Sequence, residues 1–303
     1  MNPEPAETSG YFSFLPKVIK DWSTLAAIGT FLLYLFGYLS LRFHITAMGI
    51  DTDLSALDER YLFAGARFLV FLGNCVPYLA LGLGVCWLAW KGCWTAVPEG
   101  FRLRLKSPAW LAASGLVIAL LLVVLVMRDC FVVTDHPLPF LHALPGPSWL
   151  NAVLLDDGIL KTWYFTGLLL ATAVVVGLLA GSMRMGLRTP VERALAGSLS
   201  VMAILMVLLL PVNFGAVIMP YTLDRTTAIG KTALAPGQEA WILWEGKDWV
   251  TYLVRNTSSV SLVAIPWKVV EKLEVLGSDS LLDIVLHTGV PGGPAGAGAD
   301  QTR

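Results

Sequence analysis

Charged residues are scarce in this chain. Asp, Glu, Lys and Arg make up 14% of its 303 residues, where soluble domains carry about 25%. Hydrophobic residues account for 56%, so the chain reads as membrane-embedded. An excess of either sign is missing too. The 21 basic and 22 acidic residues leave a net charge of −1, which excludes the basic surface of a nucleic-acid binder. There are four cysteines, Cys75, Cys86, Cys93 and Cys130, with no CxxC pair among them. Neither a disulfide framework nor a cysteine metal site is expected from them. No HExxH, P-loop, GxSxG elbow, Rossmann glycine pattern or kinase signature occurs. No catalytic residue, metal ligand or cofactor site is therefore assigned, and a non-enzymatic role is expected.

What the chain has is long apolar runs. A bilayer core about 30 Å thick needs about 20 apolar residues as helix. Five stretches meet that length: 22–41, 68–90, 109–127, 162–182 and 195–219. The third, AWLAASGLVIALLLVVLVM, contains no charge. The second can be drawn from Tyr61, which puts Arg67 near one end, where it would snorkel to the headgroups. Trp22, Trp87, Trp90, Trp110 and Trp163 fall at or near span ends, as an interfacial aromatic belt requires. Residues 1–21 are polar and lack a small-residue cleavage site behind an apolar core, so the first span is expected to stay in the membrane.

Basic residues set the expected orientation. With five spans, one side carries Lys17, Lys20, Lys91, Arg102, Arg104, Lys106, Arg184, Arg188 and Arg193. The opposite side, before the C-terminal region, carries Arg42, Arg60, Arg67, Arg128 and Lys161 and is also acidic. The nine-to-five bias predicts a cytoplasmic N-terminus and an extracytoplasmic C-terminal domain, with a bacterial inner membrane as the setting. The segment 137–155, PLPFLHALPGPSWLNAVLL, is apolar enough to raise a sixth span. Four prolines in its first eleven residues make an interfacial or re-entrant excursion the expected form instead.

After the last span the pattern changes. A polar stretch, TLDRTTAIGKTALAPGQ, leads into short β-branched and aromatic runs. Strands are expected at 241–245, 249–255, 260–265 and 269–275, with 226–229 as a further candidate and 280–287 as a closing turn or strand. The fold class is thus a membrane all-α bundle followed by a small all-β domain, SH3-like or a curved sheet, over 221–288. The Gly/Pro/Ala-rich tail 289–303 is expected to be disordered.

Few residues offer chemistry. Asp129, Asp135, His136, His142, Asp156 and Asp157 gather in the loop 128–161. Of these Asp135, His136, His142 and Asp156 would serve a membrane hydrolase or transferase, although proline-broken spacing fixes no ligand geometry. Asn74 beside Pro77, and Asn213 beside Pro211, are the polar interruptions of two spans. Placed at one level they would line the polar path of an oligomeric channel or transporter; otherwise they are packing contacts. The steps Gly115–Ala119 and Gly177–Gly181 allow close helix approach, within this chain or between copies. In the run WILWE, strand alternation predicts that Trp241 and Trp244 face opposite sides of the sheet. An outward tryptophan there would mark a partner surface or an interfacial anchor. The leading expectation is a non-catalytic accessory, scaffold or sensing subunit. Its partners would be the lipid bilayer and a membrane or extracytoplasmic protein met through the β domain, with a homo-oligomer as a further form.

Overall fold

The computed structural model describes residues 22–50, 59–94, 107–135, 148–156, 158–219, 222–256, 260–270, 273–280 and 284. Among the described residues six helices come first: α1 (Trp22–Ala47), α2 (Arg60–Trp94), α3 (Pro108–Asp135), α4 (Ser148–Leu155), α5 (Ile159–Arg184) and α6 (Pro190–Asn213). Five of them, all but α4, are long and apolar enough to cross a membrane. The last is the hub, since 67% of its most apolar window is buried, against 11% for α2. A capping box starts it. Glu192 N donates to Thr189 Oγ1 at 3.2 Å, Thr189 N donates to Glu192 Oε2 at 2.9 Å, and Pro190 takes the first turn. Near its other end Pro211 supplies no N–H, and the helix widens into a π turn, Phe214–Ile218.

The helices outrun the apolar windows at one end of the bundle. There α1 continues past residue 41 to Ala47, α2 begins at Arg60, α3 continues past 127 to Asp135, and α5 begins at Ile159. Of segment 137–155, residues 148–155 are described. Its described part is α4, eight residues long and so about 12 Å at ~1.5 Å per residue. Leu150, Val153 and Leu154 of α4 are buried in the bundle core. Backbones approach closely at three glycines. A Cβ built on Gly37 would overlap the Tyr61 carbonyl, one on Gly65 the Leu33 carbonyl, and one on Gly215 the Ser40 carbonyl.

The helical bundle is followed by strands β1 (Thr222–Thr226), β2 (Ala228–Ile229), β3 (Thr232–Ala233), β4 (Glu239–Glu245), β5 (Trp249–Arg255), β6 (Val260–Pro266) and β7 (Val275–Ser280). Five of them form an antiparallel sheet in the order β6-β5-β4-β1-β7, and β2 pairs with β3 as a small hairpin. Among the described strands β6 and β7 are the edges of this sheet.

Two expectations fail here. Among the described residues no strand runs over 269–275: Pro266 ends β6, Trp267–Val269 makes a 3-10 turn, and the next described strand starts at Val275. The stretch read as a linker supplies β1, which sits between β4 and β7. Its polar side chains are matched by neighbours. Glu239 bridges Arg225 at 2.8 Å and Arg255 at 3.3 Å, Ser278 donates to Asp224, and Leu223 is buried against the bundle.

The sheet is covered on both sides. Ala240, Ile242, Val250, Tyr252 and Val254 face a core closed by Ile229, Leu234, Trp267, Val270 and Leu273. Trp241, Leu243 and Leu253 join a core shared with Met48, Ile50 and Met219 at the bundle end.

Candidate functional site

Inside the bundle, residues of the α3 extension meet residues of α5 and α6 in a polar layer. On α3, Arg128 Nη2 donates to Asp129 Oδ1 at 2.8 Å. Tyr164 OH, from α5, donates to Asp129 Oδ2 at 3.4 Å. Asn213 Nδ2, from the last turn of α6, donates to the Tyr164 oxygen at 2.9 Å. Three helices are thereby joined through one hydroxyl. Asp129 is 3% exposed and Asn213 fully buried, and a buried carboxylate needs the opposite charge and donor that Asp129 has here. Trp149 of α4 lies over Tyr164, ring centroids 5.6 Å apart. On α1, His44 Nδ1 lies 3.1 Å from the Gly215 carbonyl oxygen. That carbonyl belongs to the π turn, where the regular helix ladder is interrupted. Ser40 Oγ, Thr166 Oγ1 and Asn213 Oδ1 are buried in the same region without a hydrogen bond.

Outside this layer a cleft of about 290 Å³ opens between α2 and α5, closed at the back by the π turn. Arg67, Asn74, Lys161 and Thr162 form its polar lining, and Phe71 and Phe214 part of its apolar wall. Asn213 is not among the lining residues. The two asparagines are therefore not brought into one cavity. Asn74 faces the cleft, while Asn213 is engaged in the interior with Tyr164.

The loop residues have other roles. Asp156 Oδ2 accepts from Gly158 N at 3.1 Å, Leu160 N at 2.7 Å and Lys161 N at 3.5 Å, so it caps the start of α5. Asp135 lies exposed at the end of α3. His136 and His142 lie outside the described residues. Among the described residues no group of three His, Cys, Asp or Glu is arranged to hold a metal.

A second cleft, about 430 Å³, lies between the sheet and the end of α1. It is lined by Trp244, Trp249, Thr251, Leu262 and Ala264 of the sheet with Gly49 and Ile50. The expectation that Trp241 and Trp244 face opposite ways is overturned. The β4–β5 register shifts between Ile242 and Trp244, and the extra residue of this bulge, Leu243, resets the alternation. Trp241 then pairs across from Leu253 and Trp244 from Thr251. Both tryptophans face the bundle, Trp241 buried and Trp244 half-buried. Arg60, the first residue of α2, ties the two parts together. Its Nη1 donates to the Glu245 carbonyl at 2.6 Å and its guanidinium lies 5.3 Å from the Trp244 ring centre.

Sequence reasoning missed His44, Asp129 and Lys161 as interior groups, because an apolar window stops at the first charge; Tyr164 lies inside the window 162–182, where its partners are brought near only by the fold. The usable signal was Arg-Asp followed by CFVVTD, an apolar continuation long enough to keep α3 helical to Asp135. No protein-family model matches the chain, and neither a curated protein nor a solved structure matches it.

Proposed function

We propose that this is a multi-pass protein of a bacterial inner membrane that acts as a non-catalytic accessory, scaffold or sensing subunit. Its β sheet, outside the cytoplasm, takes an apolar segment of a second membrane protein into the cleft beside Trp249. The orientation rests on the nine-to-five bias of basic residues, which places the sheet away from the cytoplasm. The observation that carries the partner reading is that cleft. Trp249 is 47% and Leu262 40% exposed along a sheet face whose other half is buried on the bundle. Tryptophan and arginine dominate binding hot spots, and Trp244, Trp249 and Arg60 stand together here.

A photo-crosslinking residue at Leu262 in membranes tests this. The expected outcome is a discrete adduct with a different protein, reduced about tenfold by Trp249→Ala, as loss of a hot-spot side chain at ~1.4 kcal/mol or more implies. Adducts confined to lipid, or to a second copy of this chain, would overturn it.

A further inference from the structure

Strand β6 ends the sheet on one side, and its backbone is set for one more strand. Its seven residues, VSLVAIP, carry no charge, and β5 pairs along its inner side without a register shift. The direction of the backbone groups follows from the bonds at one end. Trp267 N donates to the Asp248 carbonyl at 3.0 Å, and Gly246 N donates to the Trp249 carbonyl at 2.8 Å. Trp249 thus turns its carbonyl toward β4, and its pairing with Pro266 is of the wide, unbonded kind. Alternation then directs Ile265, Val263 and Ser261 at β5, and turns the N–H and C=O of Ala264, Leu262 and Val260 outward. Among the described residues no strand or hydrogen bond takes up those outward groups.

The opposite edge is blunted where β6 is not. In β7 a bulge leaves Leu276 unpaired between the residues opposite Arg225 and Thr226, and Gly277 and Asp279 follow it. Bulges, glycine and charge keep an edge from recruiting a further strand. Strand β6 has only Pro266, at its last position. Leu262 and Ala264, which turn backbone groups outward, also line the cleft of about 430 Å³ with Trp244, Trp249 and Thr251. A strand added to β6 would carry the side chains opposite Leu262 and Ala264 on that same face, over the cleft. A second copy of the chain does not fill it. Its β6 would bring only Leu262 and Ala264, which line a cleft of their own, and the two clefts would merge. A different chain with large apolar residues at alternate positions satisfies both the backbone and the space.

We propose that the partner taken up beside Trp249 arrives as an extended strand, hydrogen-bonded to the outward backbone groups of Leu262 and Ala264 with alternate apolar side chains in the cleft. This rests on the partner proposed for that cleft and states how it is held. Photo-crosslinking residues are placed singly at Leu262 and at Ala264 of the full chain in membranes, and the attached residues of the adduct are mapped by mass spectrometry. The two positions are expected to reach partner residues two apart, the repeat of a strand, where a helix would give three or four. In the Leu262 background, Ala264→Pro is expected to lower the adduct about tenfold or more, because it removes an outward N–H and puts a ring in the partner's place. Ala264→Ser keeps the N–H and leaves the yield unchanged. An edge proline whose N–H faced outward spares the ladder to β5, and the melting temperature of Ala264→Pro in detergent checks this. The mapped spacing needs no variant, so it decides even where Ala264→Pro weakens the sheet.

Failure of the strand and failure of the partner look different. A Leu262 adduct that Trp249→Ala weakens, but whose mapped residues lie three or four apart or whose yield is unchanged in a folded Ala264→Pro, keeps the partner and overturns the strand. Absence of any adduct with a different protein, or adducts with a second copy of this chain alone, removes the partner and the added strand with it.

Discussion

Tyr164 is the residue on which the interior of the bundle turns. Its hydroxyl donates to Asp129 and accepts from Asn213, so one atom links α3, α5 and α6. Interhelical hydrogen bonds in membranes average about 0.6 kcal/mol, because the unfolded helices also find partners. Removing the hydroxyl strands two buried groups at once, and a buried polar group left unmade costs about 1–3 kcal/mol. Tyr164→Phe is therefore expected to lower stability by about 1–2 kcal/mol in SDS-induced unfolding from mixed micelles. Asn74→Leu changes an exposed cleft residue and stays within about 0.5 kcal/mol of the native chain. Equal effects from the two substitutions would mean that the Asp129–Tyr164–Asn213 chain is not what holds these helices. The contrast also separates the two asparagines, since Asn213 is bonded to Tyr164 in the interior and Asn74 lines the cleft.

At the scale of elements, the apolar runs and the aromatic strands were legible because hydrophobic burial writes itself into composition. The five long helices and strands β4, β5 and β6 follow from windows of 20 apolar residues or of alternating β-branched ones. Polar elements escaped for the converse reason. Strand β1, TLDRT, is stabilised by Glu239, Arg255 and Ser278, partners that only the fold brings near. The small-residue steps illustrate the same limit. Gly115 does pack closely, with Leu199 and Leu178 within 3.3 Å of an added Cβ, whereas Gly177 faces open space. The tightest approaches, at Gly37, Gly65 and Gly215, lie outside both steps. Adding a methyl at Gly215 drives it into the Ser40 backbone, which cannot rotate away as a side chain would. Gly215→Ala is expected to cost about 2 kcal/mol or more by the same unfolding measurement, in the range of overpacked cores. In contrast, Gly177→Ala is expected to be neutral or to stabilise by up to about 1 kcal/mol, through the helix propensity of alanine. A neutral Gly215→Ala would mean that α1 and the π turn are not in backbone contact.

The whole molecule depends on how the sheet meets the bundle. One face of the sheet has its own cover, the β2–β3 hairpin and the segment around Trp267. The other face is buried chiefly on the helical part: Trp241, Leu243 and Leu253 pack with Met48, Ile50 and Met219, joined by Ile284 from beyond β7. Arg60 adds a hydrogen bond and a ring contact at the seam, but both lie near solvent and contribute modestly. The apolar seam contributes more, since a fully buried Leu or Trp side chain is worth about 1.5–3 kcal/mol relative to exposure. The β region should not stand alone. Expressed as residues 221–288 without the helices, it is expected to associate or to bind a hydrophobic dye strongly, with poorly dispersed amide resonances. Adding Trp241→Lys and Leu253→Lys to that fragment should improve its solubility, because Trp241 and Leu253 face each other on the uncovered side. The same pair in the full chain should instead undock the sheet, which appears as faster proteolysis after Lys247 with the bundle intact. A native fragment that is monomeric and sharply dispersed would show that the bundle is only a tether. The cleft beside Trp249 would then belong to a free domain rather than to a seam fixed at the membrane.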